Sequence, residues 1–351
     1  MVESNCKNDL LSMTKEKLKE VMEEMECLPY RGEQIFSFLH KNRVKDIDEM
    51  SSLPLDLRER LSSEFEIPKA VVIDALHSED GSSKYLTAFS DGQAVETVVM
   101  DYRFGTSICI STQAGCRMGC SFCASSKGGL NRNLTAGEMV SQIYLASDMC
   151  GKMISNVVLM GTGEPLDNFC NVLSFYDIIT DKSGYGLSNR GVTISTCGLA
   201  DKIRALADEK KGITLSVSLH AVTDEKRRTI MPIAKKYTLE ELVDSCIYYY
   251  KTTSRRVTLE YAVMPGFNDA LEDVAGLLSI SKRISAHINL IPVNSIEKGM
   301  SNTDRKNAER FRDELNLRGA NVTLRRTLGA DIMASCGQLR NTVIASGGKK
   351  E

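Results

Sequence analysis

"TSICISTQAGCRMGCSFC", residues 106–123, passes from an alternating apolar strand straight into a loop that holds Cys116, Cys120 and Cys123. A strand that ends in a reactive loop is the unit from which a barrel of strand–helix repeats presents its chemistry. The same rhythm continues downstream. Strands are predicted at "NVVLMG" (156–161), "GVTIST" (191–196), "TLSVSL" (214–219), "RVTLEYAVM" (256–264) and "HINLIP" (287–292). Amphipathic stretches such as 135–149, 239–253 and 269–282 separate them, and a last helix (304–319) leads to an extra strand at "NVTLRR" (321–326). Repeated strand–helix units imply an α/β fold with a parallel sheet, here a curved partial barrel of six units plus that strand.

Upstream of the cysteines the pattern changes twice. Residues 14–28, 31–42 and 52–61 carry apolar positions at helical spacing, the third starting near Pro54. Residues 70–100 alternate as β-hairpins with turns at "SEDGSS" and "SDG". The expected organisation is a helical accessory domain (1–68), a β-hairpin connecting region (69–105), the barrel with its C-terminal segment (106–340) and a tail (341–351).

The chain has 351 residues, 42% hydrophobic, and a formal net charge of −2. No apolar run is long enough to span a bilayer, and the N-terminus lacks the basic-then-apolar layout of a signal peptide. A soluble cytoplasmic protein, without membrane contact and monomeric, is expected. Residues 1–68 hold 10 Lys and Arg against 15 Asp and Glu, and the rest 34 against 31. The later part is therefore slightly basic, with pairs such as Arg227–Arg228, Arg255–Arg256 and Arg325–Arg326. Such pairs read as solvated surface.

Eleven cysteines in this setting argue for metal or redox chemistry rather than a disulfide scaffold. Cys6, Cys27, Cys150, Cys170, Cys197 and Cys246 are expected to be small buried hydrophobes. Cys116, Cys120 and Cys123 are different. Structural zinc takes four protein ligands, usually in two pairs, and iron–sulfur clusters usually take four cysteines. Three thiolates leave one iron open, which suits a ligand that chelates through an amine and a carboxylate. The plain alternatives are zinc or three buried thiols.

Further polar residues end successive strands and belong on the same rim. They are Gly163 and Glu164 in "GTGEP", Ser195 in "STCG", the Ser218-Leu219-His220 run and Asn294 in "IPVN". Glu164 can accept from an ammonium group.

The cysteine stretch resembles that of the radical S-adenosylmethionine (SAM) enzymes. "ETVVM", "SICISTQAGCRMGCSFCASSKGGLNRNLT", "GTGEPLDN", "SLHAVTDEKRRTIMPI" and "DIMASCGQL" resemble, more narrowly, the RlmN/Cfr family of radical SAM RNA methyltransferases. The helical front region puts the likeness on the dual-specificity side of that family.

The resemblance implies a [4Fe–4S] cluster on Cys116, Cys120 and Cys123, with SAM held by Gly163, Glu164, Ser195, Ser218, Leu219, His220 and Asn294. It implies that Cys336 is transiently S-methylated, that Cys109 forms a transient disulfide with it, and that Glu96 accepts a proton. The implied reaction is methylation of adenine carbon 2 in 23S rRNA near the peptidyl-transferase centre, and of the adenosine 3′ to the anticodon in tRNAs. Electrons would come from a flavodoxin or ferredoxin system. Ring carbon 2 is electron-poor and cannot attack SAM as an amine would, which is why a radical route is needed. Methylation at carbon 8 with the same cysteines is the near alternative, and a non-catalytic metal-binding RNA-binding protein the distant one. Lys127, Arg132 and Arg190, with the front domain, are candidates for RNA backbone contact.

Overall fold

In the computed structural model the described residues are 7–103, 105–292, 305–326, 328–329, 331–332 and 341–343. Asn294 and Cys336, both singled out above, lie outside them, as does Cys6.

The front domain forms where the helical spacing placed it. Helices span Lys15–Glu24, Tyr30–Ser37 and Leu55–Glu64. Thr14 caps the first by accepting from Lys17 N, and Pro54 fixes the entry to the third. Leu18, Met22, Ile35, Phe36, Leu57 and Leu61 are buried. These belong to the same apolar core as the barrel helices, so the domain is docked rather than tethered.

The barrel strands are Gly105–Cys109, Ile154–Leu159, Val192–Thr196, Thr214–Ser218, Thr258–Val263, His287–Pro292 and Val322–Leu324. They are adjacent in chain order and all parallel, as the strand–helix rhythm requires. The hairpin strands Ala70–His77, Ser83–Phe89 and Gln93–Tyr102 do not stand apart as a connecting region. They join the same sheet antiparallel through the first barrel strand, with Val98 opposite Cys109.

Several short strands escaped the sequence reading. Gln113–Gly115 and Leu130–Asn133 pair as a short ribbon that encloses the cysteine loop. Gly115 closes it with φ 83°, and a Cβ there would sit 2.0 Å from Gly129 O, so only glycine fits. A short strand, Asn341–Val343, pairs antiparallel with residues 93–95. No helix among the described residues is long and apolar enough to cross a membrane.

Candidate active site

Strand order brings the predicted rim together. Cys116, Cys120, Cys123, Gly163, Glu164, Ser195, Ser218 and His220 all line one cavity of roughly 1000 Å³, counting its open mouth. Leu219 is the exception within the quoted run. Strand alternation turns its side chain into the core, and only its backbone takes part, its carbonyl accepting from Arg227 Nε at 3.2 Å.

The loop after the second strand is locked by the residues that precede the cysteines. Gly163 has φ 111°, and a Cβ would meet Gln113 Cβ at 2.7 Å. Gln113, fully buried, accepts from Glu164 N and donates to Asn133 and Asp167. Glu164 itself is buried, and burial raises its pKa. One carboxylate oxygen accepts from Leu166 N at 3.0 Å, the other from Cys197 N at 2.7 Å. The carboxylate lines the cavity, where a cationic group can meet it.

His220 is held just as firmly. Its backbone is left-handed, φ 55°, and its Nδ1 accepts from Ala262 N at 2.9 Å. That bond fixes the tautomer with the proton on Nε2. Burial lowers the pKa to about 3, so the ring is a neutral donor. Phe122 packs edge-on against it at 4.8 Å.

Sequence reading missed several lining residues: Met160, Cys197, Met231, Glu260 and Arg325 among them. Glu260 is buried and accepts from Ser216 Oγ and Asn289 Nδ2. Strand alternation could have placed it on the inner face. Cys197, expected as an ordinary buried thiol, is buried but lines the cavity. Of the other five, Cys246 is buried, Cys27 and Cys150 are half-buried, and Cys170 is exposed at the start of its helix. Charge context could not have found Arg227. Read as half of a solvated pair, it is fully buried, while its neighbour Arg228 is exposed.

The other basic candidates also move. Arg132 is consumed by Glu138 at 2.7 Å and Asp91 at 2.5 Å, tying the ribbon to the next helix. Arg190 precedes the third barrel strand, at the opposite end from the cavity. Lys127 is exposed beside the cysteine loop. Cys109 does not line the cavity. It packs with Val98 and Met100, against Met160 and Leu328. Met160 also faces the cavity, so the two compartments adjoin. Glu96 pairs with Lys84 at 2.9 Å.

The donor set fits an iron–sulfur cluster. Three thiols share one wall, and burial pushes Cys116 up to about 12 and Cys120 higher still. Such thiols lose their protons only to a metal. Among the described residues no three metal-binding side chains converge on a single ion, whereas a cluster takes one thiolate per iron. Arg227 Nη1, Ser126 Oγ, Thr112 Oγ1 and Thr162 Oγ1 are buried without a partner among the described residues.

Comparison with known proteins agrees with this geometry. Residues 110–278 match the radical SAM superfamily, and residues 8–67 the ribosomal RNA large subunit methyltransferase N-terminal domain. The probable dual-specificity RNA methyltransferase RlmN of Clostridium perfringens (strain SM101 / Type A) is 47% identical over 97% of this chain and 99% of its own length. The chain belongs to the RlmN family. The corresponding protein of Clostridium novyi (strain NT) is 46% identical over 96% and 98% of the two chains. A crystal structure of a radical SAM methyltransferase from Sphaerobacter thermophilus superposes with TM-score 0.88 at 36% identity, covering 95% and 99%. As an RlmN-type enzyme the chain is a dual-specificity radical SAM RNA methyltransferase. A [4Fe–4S] cluster and SAM are its cofactors, and RNA is its substrate.

Proposed function

We propose that this enzyme methylates carbon 2 of adenosine, in 23S rRNA near the peptidyl-transferase centre and 3′ to the anticodon in tRNAs, through a methyl group carried on Cys336. The observation that carries this reading is the anchoring of the chain on both sides of Cys336. On one side Leu328 packs against the cluster that contains Cys109. Gly329 N donates to Asp80, and Asp331 accepts from Ser78 Oγ. On the other side Asn341 pairs with Val95, three residues along the strand from the Val98–Cys109 pair. In the sequence Cys336 falls between these two anchors, the first of which packs with Cys109.

Cys116, Cys120 and Cys123 would hold three irons and leave the fourth for SAM. Bound there, the cluster supplies an electron to the SAM sulfonium, and SAM supplies the methyl group and the hydrogen-abstracting radical. Glu164 accepts from the SAM ammonium, while Ser195, Ser218 and His220 Nε2 offer polar contacts from the inner rim. Asn294 would add a contact to the adenosyl part. The Cys336 thiolate takes the methyl by displacement. Once that carbon is joined to the base, Glu96 accepts the ring proton, and the unpaired electron of the adduct would return to the cluster. Cys109 then attacks the Cys336 sulfur. The sulfur–carbon bond breaks, the base takes up a proton so that the carbon it keeps becomes a methyl group, and the disulfide awaits reduction. The target adenine must leave its stack to reach the cavity. A flavodoxin or ferredoxin is the expected electron donor.

Cys109→Ala tests the order of these steps. The variant should join RNA covalently through Cys336 and fail to release it, giving a ribonuclease-sensitive band on a denaturing gel. Cys336→Ala and the double variant should give none. Mass spectrometry of adenosines from wild-type product should show the 2-methyl isomer; the 8-methyl isomer would move the enzyme to the other branch of the family.

A further inference from the structure

Arg227 sits on the buried face of the helix Asp224–Ile230, which supports the cysteine loop. Ser121 N donates to Ile230 O at 3.0 Å, and Gly119 lies against the Pro232 ring. The guanidinium is fully buried. Nη2 donates to Cys197 O at 2.6 Å and to Ser218 O at 3.3 Å, and Nε to Leu219 O. Nη1 has no partner, and no carboxylate forms an ion pair with it among the described residues. Asp224, one turn earlier, is engaged elsewhere: it accepts from Leu239 N and faces Arg228 at 4.0 Å. Glu164, whose carboxylate accepts from Leu166 N and Cys197 N, forms no ion pair with Arg227.

An isolated buried charge costs several kcal/mol after relaxation and is retained only with a counter-charge. Cys197, whose carbonyl Arg227 holds, lines the same cavity as Cys116, Cys120 and Cys123. A [4Fe–4S] core of two positive charges on three thiolates is a monoanion, and a dianion once it has taken an electron. We infer that Arg227 is the built-in counter-charge of the cluster and holds its reduction potential up, a positioning residue for electron transfer that never touches SAM or RNA. A fixed cation favours the dianion over the monoanion, and net charge and burial are what set such potentials.

The inference rests on the cluster being held at Cys116, Cys120 and Cys123. The experiment compares full-length wild type, Arg227→Met, Arg227→Gln and Arg227→Lys, reconstituted anaerobically without SAM. It reads iron and sulfide content, thermal midpoint and mediated potentiometry followed by electron paramagnetic resonance. In the two neutral variants the ratio of reduced to oxidised cluster at the wild-type midpoint should fall about tenfold, a downward shift of about 59 mV for one electron. Arg227→Lys should stay within about threefold of wild type. If the neutral variants fold but shed the cluster while Arg227→Lys keeps it, the conclusion is the same. Neutral variants with wild-type content and midpoint would overturn it. So would a lysine variant that shifts as far as they do, or that sheds the cluster with them. Loss of the fold in all three would reduce Arg227 to a tie among three carbonyls. A wild type that assembles no cluster would instead break the cluster assignment itself.

Discussion

Two arginines mark the difference between the seam that joins the front domain to the barrel and the rim that carries the chemistry. Arg43, at the seam, reaches Asp148 at 2.9 Å and lies over the rings of Tyr144 and Tyr185, which stack on each other. Lys15 meets Asp181 nearby at 2.7 Å. Arg227, at the rim, is buried with an orphan nitrogen. The cations Lys15 and Arg43 of the seam are each paired with a carboxylate of the barrel. At the rim, the buried Arg227 Nη1 finds no partner among the described residues. A buried polar group without a partner is therefore a stronger pointer to a ligand than any paired surface charge.

The comparison breaks first, and by the largest margin, at the cysteines. Cys116→Ala, Cys120→Ala or Cys123→Ala should each abolish reductive SAM cleavage, read as 5′-deoxyadenosine by chromatography. The front domain should keep its circular dichroism. A folded triple variant with intact cleavage would place the cluster elsewhere. Next in size is Glu164→Gln, which keeps the shape and removes the charge. SAM affinity by calorimetry should fall about tenfold, or about 1.4 kcal/mol, with iron content unchanged.

The seam supplies the smaller effects. His40 is buried between Phe36 and Tyr144. Tyr144 Oη donates to His40 O and so accepts from Nδ1, which leaves Nε2 bare and without a partner among the described residues. Burial lowers the His40 pKa to about 3. The unfolded chain binds this proton below about pH 6.5 and the folded chain does not. Stability from this group is thus full above that pH and is lost as pH falls towards 3, by at most about 1.4 kcal/mol per unit. Urea unfolding at pH 7.5 and 5.5 should show wild type losing about 1 kcal/mol more than His40→Gln. Equal losses would mean that His40 is protonated in place. Smallest of all, Arg43→Ala should cost about 0.5–1 kcal/mol, because Asp148 is well exposed and the stacked rings retain each other. A larger loss would make the seam depend on one cation after all.

Much of this was legible in residue order. Strand alternation and helical spacing placed the barrel, and strand ends placed Glu164, Ser195, Ser218 and His220 on one rim. What the sequence hid depends on the third dimension. Arg227 and Arg228 are adjacent letters, yet helical geometry sends one into the core and the other to solvent. Arg132 looked like a free cation because Asp91 is distant in sequence and meets it only once the hairpins join the barrel sheet. Asn341–Val343 is too short to announce itself, and its pairing is set wholly by tertiary contact.

That short strand has a kinetic consequence. With the chain fixed at Leu328 and again at Asn341, the proposed mechanism makes the Cys336 thiol an intramolecular reactant. Its effective concentration is set by tether length, on the order of millimolar for short linkers, and not by how much enzyme the cell contains. On that proposal one thiol would be methylated, spent and regenerated in every cycle without a diffusible carrier.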